Sequence, residues 1–236
     1  GSGSGLWGGT IPYKGGIVLN CAARFNRFLK LDKKTLTCLV EPGIDFGALE
    51  AELIKHGYRE HVAPEGGLSG TVGGHWITHG LGIGSTIYGN QGDAVIGIEV
   101  VLPNGDLVRT GSQMNPNAHG DFFRYAYCND LTGLFCGSEG TLGVVTKLAI
   151  KVEKVPEDRG YTTFGFPDLE LAGNALLKIR TEGLNTIFAT LRPRKGLQLV
   201  TGKPWPHEGT LMIIIEGPSW RVSKEIEIAS SICAEE

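Results

Sequence analysis

The chain has 236 residues, enough for one large domain or one and a half ordinary ones, and it can bury a sizeable core. Its formal net charge of −3 and its charged fraction of 20% argue against a nucleic-acid-binding surface and an acidic tail. No apolar run reaches the roughly 18 residues that a membrane-spanning helix needs, and the five cysteines are widely spaced without a metal-binding pattern. We therefore expect reduced thiols and a cytoplasmic protein, free or peripheral to the membrane, without a transmembrane segment or a nucleic-acid partner.

The chain begins with a glycine-rich stretch, after which two short strands are predicted at residues 17–20 and 35–41. Asp45 is predicted to cap the helix that follows, and Gly57 to end it. The apolar face of this helix is formed by Phe46, Leu49, Leu53 and Ile54. The pattern indicates a helix that packs on a sheet.

A β-hairpin is predicted after the middle of the first half. Residues 95–102 are rich in β-branched side chains, Pro-Asn-Gly-Asp forms a tight turn, and residues 107–110 return. Residues 144–155 alternate well enough to predict a long strand.

The pattern changes at Pro156, beyond which the glycine-rich loops stop. Strands are predicted at residues 161–166 and 211–216, and helices at residues 168–183 and 219–233. This alternation predicts a second α+β unit. We place the domain boundary at 155/156, which gives one domain of residues 1–155 and another of residues 156–236.

The most informative stretch is residues 64–93, in which ten of thirty residues are glycine. It is not a typical flexible linker, because it also contains large apolar residues such as Trp76, Leu81 and Ile83. It contains no lysine or arginine. Any anionic ligand would therefore be held by backbone N–H groups and small hydroxyls.

Three glycine clusters, at residues 1–9, 64–92 and 137–143, favour one large and extended ligand such as a dinucleotide. The common nucleotide-binding motifs do not account for it. Residues 3–8 formally match G-x-G-x-x-G, but Pro12 and further glycines follow where a Rossmann fold needs a helix. No P-loop sequence occurs.

Five motifs occur in one order: GSGSGLWGG, PEGGLSGTVGG, IYGN, GIEVVLPNGDLVRTG and GSEGTLGVVT. Together they resemble the FAD-binding domain of the vanillyl-alcohol oxidase / p-cresol methylhydroxylase (PCMH) superfamily. The branch they resemble most is that of the FAD-linked oxidases of the glycolate oxidase subunit and D-lactate dehydrogenase type. The resemblance implies an α+β chain, with a two-subdomain PCMH-type FAD-binding fold at residues 1–155 and the start of an α+β substrate (cap) domain at residues 156–236.

The resemblance also implies that FAD is the cofactor and that loops hold it. The three glycine clusters correspond to three loops, numbered here in chain order. The first loop would hold the phosphates, the second would run along the flavin, and the third would lie near the adenosine end. Tyr88 and Gly89 would lie near the ribityl or adenine part. The implied FAD-binding residues are Gly1, Ser2, Gly3, Ser4, Gly5, Pro64, Gly66, Gly67, Ser69, Thr71, Gly73, Gly74, Thr78, Tyr88, Gly89, Glu139, Gly140, Thr141, Gly143, Val144 and Val145.

Members of this family have strands before the first loop and a longer substrate domain, whose returning C-terminal segment supplies active-site histidines and acids. This sequence lacks both parts. We therefore expect a fragment that does not turn over substrate alone.

No catalytic residue is assigned from the sequence. Arg192 and Arg194 could bind a substrate carboxylate. Covalent attachment of flavin has candidates by residue type only, namely His61, His75, His79 and His119. No metal site is expected, because the pair His75 and His79 lacks a third ligand.

The resemblance implies an FAD-dependent oxidoreductase that oxidises a small 2-hydroxy acid by hydride transfer to flavin. Residues 114–130 resemble the phenol-oxidising branch more, so a phenol or alcohol oxidase is one alternative. A non-redox transferase resembling alkylglycerone-phosphate synthase is another, and a non-catalytic remnant is a third. The electron acceptor, the exact substrate and the oligomeric state stay open.

Overall fold

The computed structural model describes residues 1–5, 7–125 and 128–236. The chain divides into two compact units, Gly1–Val155 and Pro156–Glu236, each with its own hydrophobic core. Among the described residues no helix has both the length and the apolar character required to cross a bilayer.

The first unit is built on a sheet in which the strand order is β1-β2-β8-β6-β7 and β3 also pairs with β8. All of these pairs are antiparallel, and β4 and β5 form a separate two-stranded ribbon. The strands are β1 (Phe28–Asp32), β2 (Thr37–Val40), β3 (Tyr58–Glu60), β4 (Ala63–Pro64), β5 (Gly82–Ile83), β6 (Val95–Val101), β7 (Leu107–Arg109) and β8 (Val144–Lys154).

Short helices surround this sheet. They are α1 (Cys21–Arg24), α2 (Phe46–Ile54), α3 (Val72–Ile77), α4 (Ser85–Tyr88), α5 (Gln91–Ala94), the 3-10 turn Gly111–Met114 and α6 (Leu131–Phe135). Phe46 and Leu49 of α2 and Trp76 of α3 pack in one core with Leu148 and Ile150 of β8. This packing fixes the position of α3 relative to the sheet.

Local signals in the sequence account for α2 and for the hairpin. The carboxylate of Asp45 accepts a hydrogen bond of 2.8 Å from the Ala48 amide, so the predicted cap is confirmed. Gly57 has a φ of +77°, which only glycine adopts readily, and it ends the helical segment. Ile54 was expected on the buried face but is 53% exposed, because it is the last residue of α2 and the buried face ends with Leu53.

The strand predicted at residues 17–20 was wrong. These residues are exposed and pair with no strand among the described residues. The sequence reasoning also passed over β1, which pairs with β2. Strand formation depends on a hydrogen-bonded partner, and an apolar run such as Ile-Val-Leu does not provide one.

The second unit is a three-stranded antiparallel sheet of order β10-β11-β9, with two long helices packed in its core. Its elements are β9 (Asp158–Phe166), α7 (Leu169–Thr181), β10 (Thr186–Pro193), α8 (Arg194–Thr201), β11 (Gly209–Gly217) and α9 (Ser219–Glu235). Ala172 and Ile179 of α7, Val222 and Ala229 of α9, and Ile213 of β11 lie in this core.

Candidate functional site

The second glycine-rich loop, residues 64–74, is anchored by its carbonyl groups. The Leu68 and Gly70 carbonyls each accept a hydrogen bond of 3.0 Å from the first residues of α2, Gly47 and Phe46. In a planar trans peptide the C=O and N–H groups point in opposite directions. The N–H groups of Ser69 and Thr71 therefore face away from α2, where they can meet a ligand.

The first loop, residues 1–9, lies against the second. A methyl group added at Gly1 would be 2.9 Å from Thr71 Oγ1, the atom that caps α3 by accepting from the Gly74 amide. A methyl group at Gly70 would be 3.9 Å from Ser4 Oγ. The structure therefore brings these two loops together at the start of α3.

The third loop, residues 137–143, joins the same region from the other end of α3. The Glu139 amide donates to the Ile77 carbonyl at 3.1 Å, and a methyl group at Gly9 would be 3.9 Å from Glu139 Oε2. Glu139 has a φ of +52°, which is strained for a residue with a side chain. Such strain often marks a functional site.

In each of the three loops, glycines leave open space beside the backbone. At Gly3, Gly5, Gly66, Gly67 and Gly140 no atom lies within 4 Å of the position that a Cβ would take. Three of these glycines have positive φ, +75° at Gly3, +113° at Gly67 and +82° at Gly140. The exposed amides and hydroxyls, without a lysine or arginine in the second loop, suit the pyrophosphate of FAD, so the residues present fit the expected cofactor.

Gly73 and Gly74 lie inside α3 rather than on an open surface. A methyl group at Gly73 would be 2.4 Å from Pro42 Cβ, and one at Gly74 would be 2.7 Å from Thr71 Oγ1. Neither glycine has positive φ, so close packing is the reason for them. Thr78 Oγ1 donates to the Gly74 carbonyl at 3.0 Å and ends the helix.

Tyr88 makes its described contacts with the sheet and not with the three loops. Its hydroxyl donates to Glu153 Oε2 at 2.7 Å, and its ring stacks on His61 with centroids 4.4 Å apart. Burial and this hydrogen bond raise its pKa to about 12. The neighbouring Gly89 has a φ of +81° and packs on the Asp93 carboxylate.

The remaining implied residues lie at the ends of strands. Pro64 ends β4, and Val144 and Val145 begin β8 directly after the third loop. A methyl group at Gly143 would be 2.7 Å from the Val101 carbonyl, so this glycine permits close contact with β6.

Two half-buried histidines, His61 and His75, are shifted toward their neutral form. Burial lowers the pKa of His61 and of His75, and the His75 Nε2–H group donates to the Leu81 carbonyl at 3.1 Å. Across residues 1–5, 7–125 and 128–236 there is no group of three or more His, Cys, Asp or Glu side chains suited to a metal ion.

Arg124 is a residue that the sequence reasoning missed. Its Nε donates to Asp130 Oδ1 at 2.9 Å, and its Nη1 donates to the Gly92 carbonyl. Asp130 also caps α6 by accepting from the Gly133 amide at 2.8 Å. Arg124 therefore ties α5 to the helix that leads into the third loop, and no local pattern marks it for this role.

In the second unit, Arg192 lies on the sheet face opposite the helices. It pairs with Thr210 on β11, which pairs in turn with Gly165 on β9. The His207 ring packs on Gly165, and Trp205 Nε1 donates to Thr210 Oγ1 at 2.9 Å. Arg194 forms an ion pair of 3.0 Å with Glu208.

Comparison with known proteins assigns the first part of the chain. Residues 1–111 match the family model of an FAD binding domain. The chain is 31% identical over 238 residues to the glycolate oxidase subunit GlcD of Bacillus subtilis, and 29% identical over 237 residues to the mitochondrial D-lactate dehydrogenase [cytochrome] of Arabidopsis thaliana. Each alignment covers 99% of this chain, but only 49% and 40% of the relative, so the chain spans less than half the length of these proteins.

Similarity to other members is lower. The chain is 27% identical to the alkyldihydroxyacetonephosphate synthase of Caenorhabditis elegans, over 94% of this chain and 37% of the relative. A solved structure of an alkyldihydroxyacetonephosphate synthase matches with a TM-score of 0.79 at 24% identity, covering 100% of this chain and 48% of that one. The structure of p-cresol methylhydroxylase with substrate bound matches with a TM-score of 0.71 at 21% identity, covering 89% and 45%.

The structural matches confirm the expected α+β fold, and the family match confirms FAD as the cofactor. Residues 1–111 therefore form an FAD-binding domain, the chain is similar along its length to FAD-linked oxidoreductases, and its fold matches that of p-cresol methylhydroxylase.

Proposed function

We propose that the protein is part of an FAD-dependent dehydrogenase that oxidises a small 2-hydroxy acid of the D-lactate or glycolate type. One observation carries the proposal: the alignments with the glycolate oxidase subunit and with D-lactate dehydrogenase extend over 99% of the chain. They therefore include Pro156–Glu236 as well as the FAD-binding loops. When bound, FAD would supply the acceptor for the hydride that leaves the substrate carbon.

In this proposal residues 1–155 form the FAD-binding domain, and residues 156–236 are the beginning of the substrate domain. The first loop holds the phosphates through its amides and the Ser2 and Ser4 hydroxyls. The second loop runs along the flavin with the Ser69 and Thr71 N–H groups turned outward, and the third loop holds the adenosine end. Arg124 acts through the third loop and does not contact the cofactor.

The substrate carboxylate is assigned to Arg192. Both arginines in the Leu-Arg-Pro-Arg sequence have interaction partners, and those of Arg194 are Glu208 and the Pro206 carbonyl, each at 3.0 Å. Arg192 lies on the sheet face opposite the two long helices, two strands away from the Gly165 on which His207 packs. Because two strand spacings of about 4.8 Å each separate their backbones, both side chains would extend toward each other to reach one small hydroxy acid.

The oxidation also needs an acceptor for the hydroxyl proton. His207 is the imidazole at the Arg192 end of this face, so it is our candidate in this unit. Replacement by asparagine keeps the size and removes the base. We expect His207→Asn to lower kcat for the 2-hydroxy acid with little change in KM.

The direct test is reduction of bound flavin without oxygen. The full-length protein that contains this chain is loaded with FAD and mixed with D-lactate, glycolate or D-2-hydroxyglutarate, and the visible absorbance of oxidised flavin is followed. We expect bleaching by at least one of these acids. Arg192→Met should raise the KM by about 10- to 100-fold, whereas the matched control Arg194→Met should not. Bleaching by p-cresol and by none of the acids would overturn the proposal.

A non-redox transferase is the second candidate function. The observation that favours it is the sequence similarity to alkyldihydroxyacetonephosphate synthase over 94% of the chain. The same flavin assay separates the two, because no tested alcohol or hydroxy acid should bleach the flavin of such a transferase. The phenol oxidase alternative rests on structural matches at 21% and 19% identity, which show the fold alone.

A further inference from the structure

A cavity of about 260 Å³ lies on the first-unit sheet, on the face opposite α2 and α3. Its floor consists of Leu39, Ala149 and Gly97, which are register partners across β2, β8 and β6. Leu39 and Ala149 alternate with core residues such as Val40 and Leu148, so they face away from the core. The cavity forms because Ala149 has only a methyl group and Gly97 has no side chain.

One end of the cavity carries an excess of positive charge. Glu99 accepts hydrogen bonds from Arg109 Nε at 3.0 Å, from Lys147 Nζ at 3.1 Å and from Thr146 Oγ1 at 2.9 Å. One carboxylate is thus shared by two cations. Since Glu99 neutralises only one of them, this end has a residual charge of about +1 and spare N–H donors.

The other end carries an unpaired carboxylate. Asp121 lies over the floor, because a methyl group at Gly97 would be 3.4 Å from Asp121 Oδ1. The backbone carbonyl of Asp121 accepts from Thr37 Oγ1, but its carboxylate has no hydrogen bond or ion pair to any described residue. The nearby Lys30 is hydrogen-bonded to Asp32 at 3.1 Å and acts on Asp121 only through its charge.

We propose that this cavity binds a small zwitterionic amino acid, with its ammonium group at Asp121 and its carboxylate at Lys147 and Arg109. The two ends of the cavity have opposite residual charge, and a ligand with both charges satisfies both ends. A simple amine would leave the cationic end unpaired, and a simple carboxylate would leave Asp121 unpaired. Asp121 is half-buried, and burial raises its pKa although Lys30 and Arg109 act in the opposite sense. A bound ammonium group would favour the ionised form.

The site is separate from the three FAD-binding loops, which contribute none of its residues. The proposal of an amino-acid site is therefore independent of the proposed oxidation. His119 and Gln113 also line the cavity and could add hydrogen bonds to the ligand.

The test is isothermal titration of the FAD-loaded protein with glycine, β-alanine and γ-aminobutyrate, which differ in the separation of their charges. Butylamine and butyrate serve as half-ligands. We expect saturable heat from at least one zwitterion in the micromolar to millimolar range, with both half-ligands at least about tenfold weaker. If no zwitterion gives saturable heat, or if a half-ligand binds equally tightly, the proposal is overturned.

Substitutions of the residues at the two ends of the cavity test where the zwitterion binds. Asp121→Asn removes the charge while keeping the shape, and it breaks no described hydrogen bond of that side chain, so it should fold normally. It should weaken the zwitterion by about 10- to 100-fold. Lys147→Met removes one of the two cations that would bind the ligand carboxylate. It should weaken binding, since the remaining cation, Arg109, still pairs with Glu99. The matched control is Asp106→Asn on the exposed hairpin turn, and equal affinities of Asp121→Asn and this control would refute the assignment.

Discussion

Gly73 has no room for any side chain, because Pro42 occupies the space where a Cβ would stand. The clash involves the Pro42 backbone, with its carbonyl oxygen at 2.7 Å and its Cα at 2.9 Å, and backbone atoms cannot rotate away. We expect Gly73→Ala to lower the free energy of unfolding of the first unit by at least about 1–3 kcal/mol. Urea titration followed by circular dichroism measures this loss.

Gly66 is the matched control for that substitution. It lies in the same loop region with open space around it and without positive φ. Gly66→Ala should leave the stability unchanged or raise it slightly by restricting the unfolded chain. Equal losses in the two variants would show that contact with Pro42 is not the cause.

Tyr88 contributes stability that depends on alkaline pH. Burial and the hydrogen bond to Glu153 raise its pKa from 10 to about 12, so the folded state holds this proton more tightly than the unfolded chain does. The contribution is complete below pH 10 and is lost as the pH rises from 10 to about 12. We expect the unfolding free energy to fall in this window, and to fall less steeply in Tyr88→Phe.

The measurement is a series of urea titrations across that pH window. Tyr13→Phe is the control, because the Tyr13 side chain is 85% exposed. If the unfolding free energy of Tyr88→Phe fell with pH as steeply as that of the parent protein, the assigned role of the Glu153 hydrogen bond would be contradicted.

At the scale of single residues, the sequence identified the glycine clusters but not the reason for each glycine. Open backbone at Gly3, Gly67 and Gly140 follows from the composition of their loops. The packing of Gly73 on Pro42 and the bond from Tyr88 to Glu153 join positions far apart in the chain, 65 residues in the second case. Such pairs are set by the fold and leave no local pattern.

At the scale of elements, the position of the third loop depends on α6, and α6 depends on Arg124. Burial alone would raise the pKa of Asp130, but hydrogen bonds from Arg124 and the Gly133 amide lower it, so the pair stays ionised. We expect Arg124→Met to weaken FAD binding about tenfold or more, because α5 and the third loop lose their shared anchor. The quenching of FAD fluorescence on binding measures the affinity.

Arg180→Met is the matched control, since Arg180 is an exposed residue of α7 in the second unit. Arg124→Lys should restore little of the affinity, because lysine cannot make the two-nitrogen contact with Asp130 and still reach Gly92. An affinity of Arg124→Met equal to that of the control would refute the role of the anchor.

Elements with strong local signals were predictable, and those that depend on a partner were not. The Asp45 cap, the hairpin turn between β6 and β7, and the Asp168 cap of α7 all follow from residues close in sequence. β10 was not predicted, although its Ile187 is buried, because its other side chains are mixed and its identity as a strand comes from pairing with β11.

At the scale of the whole molecule, each unit has a core of its own. Leu148 of β8 is fully buried in the first core, and Ile213 of β11 is 1% exposed in the second. Truncation of either side chain to alanine leaves a cavity and costs about 2–5 kcal/mol in its own unit. These two substitutions therefore separate the contributions of the units to cofactor binding.

We expect Leu148→Ala to weaken FAD binding strongly and Ile213→Ala to leave it nearly unchanged. The reason is that all of the loops assigned to FAD lie in Gly1–Val155, and β8, which carries Leu148, begins with Val144 and Val145 directly after the third loop. The measurement combines fluorescence titration with FAD and calorimetric unfolding of both variants, at a temperature where the circular dichroism of the unaltered unit is native. If Ile213→Ala loses FAD as completely as Leu148→Ala under those conditions, the second unit must contribute to the cofactor site, and the assignment of FAD to the three loops alone is wrong.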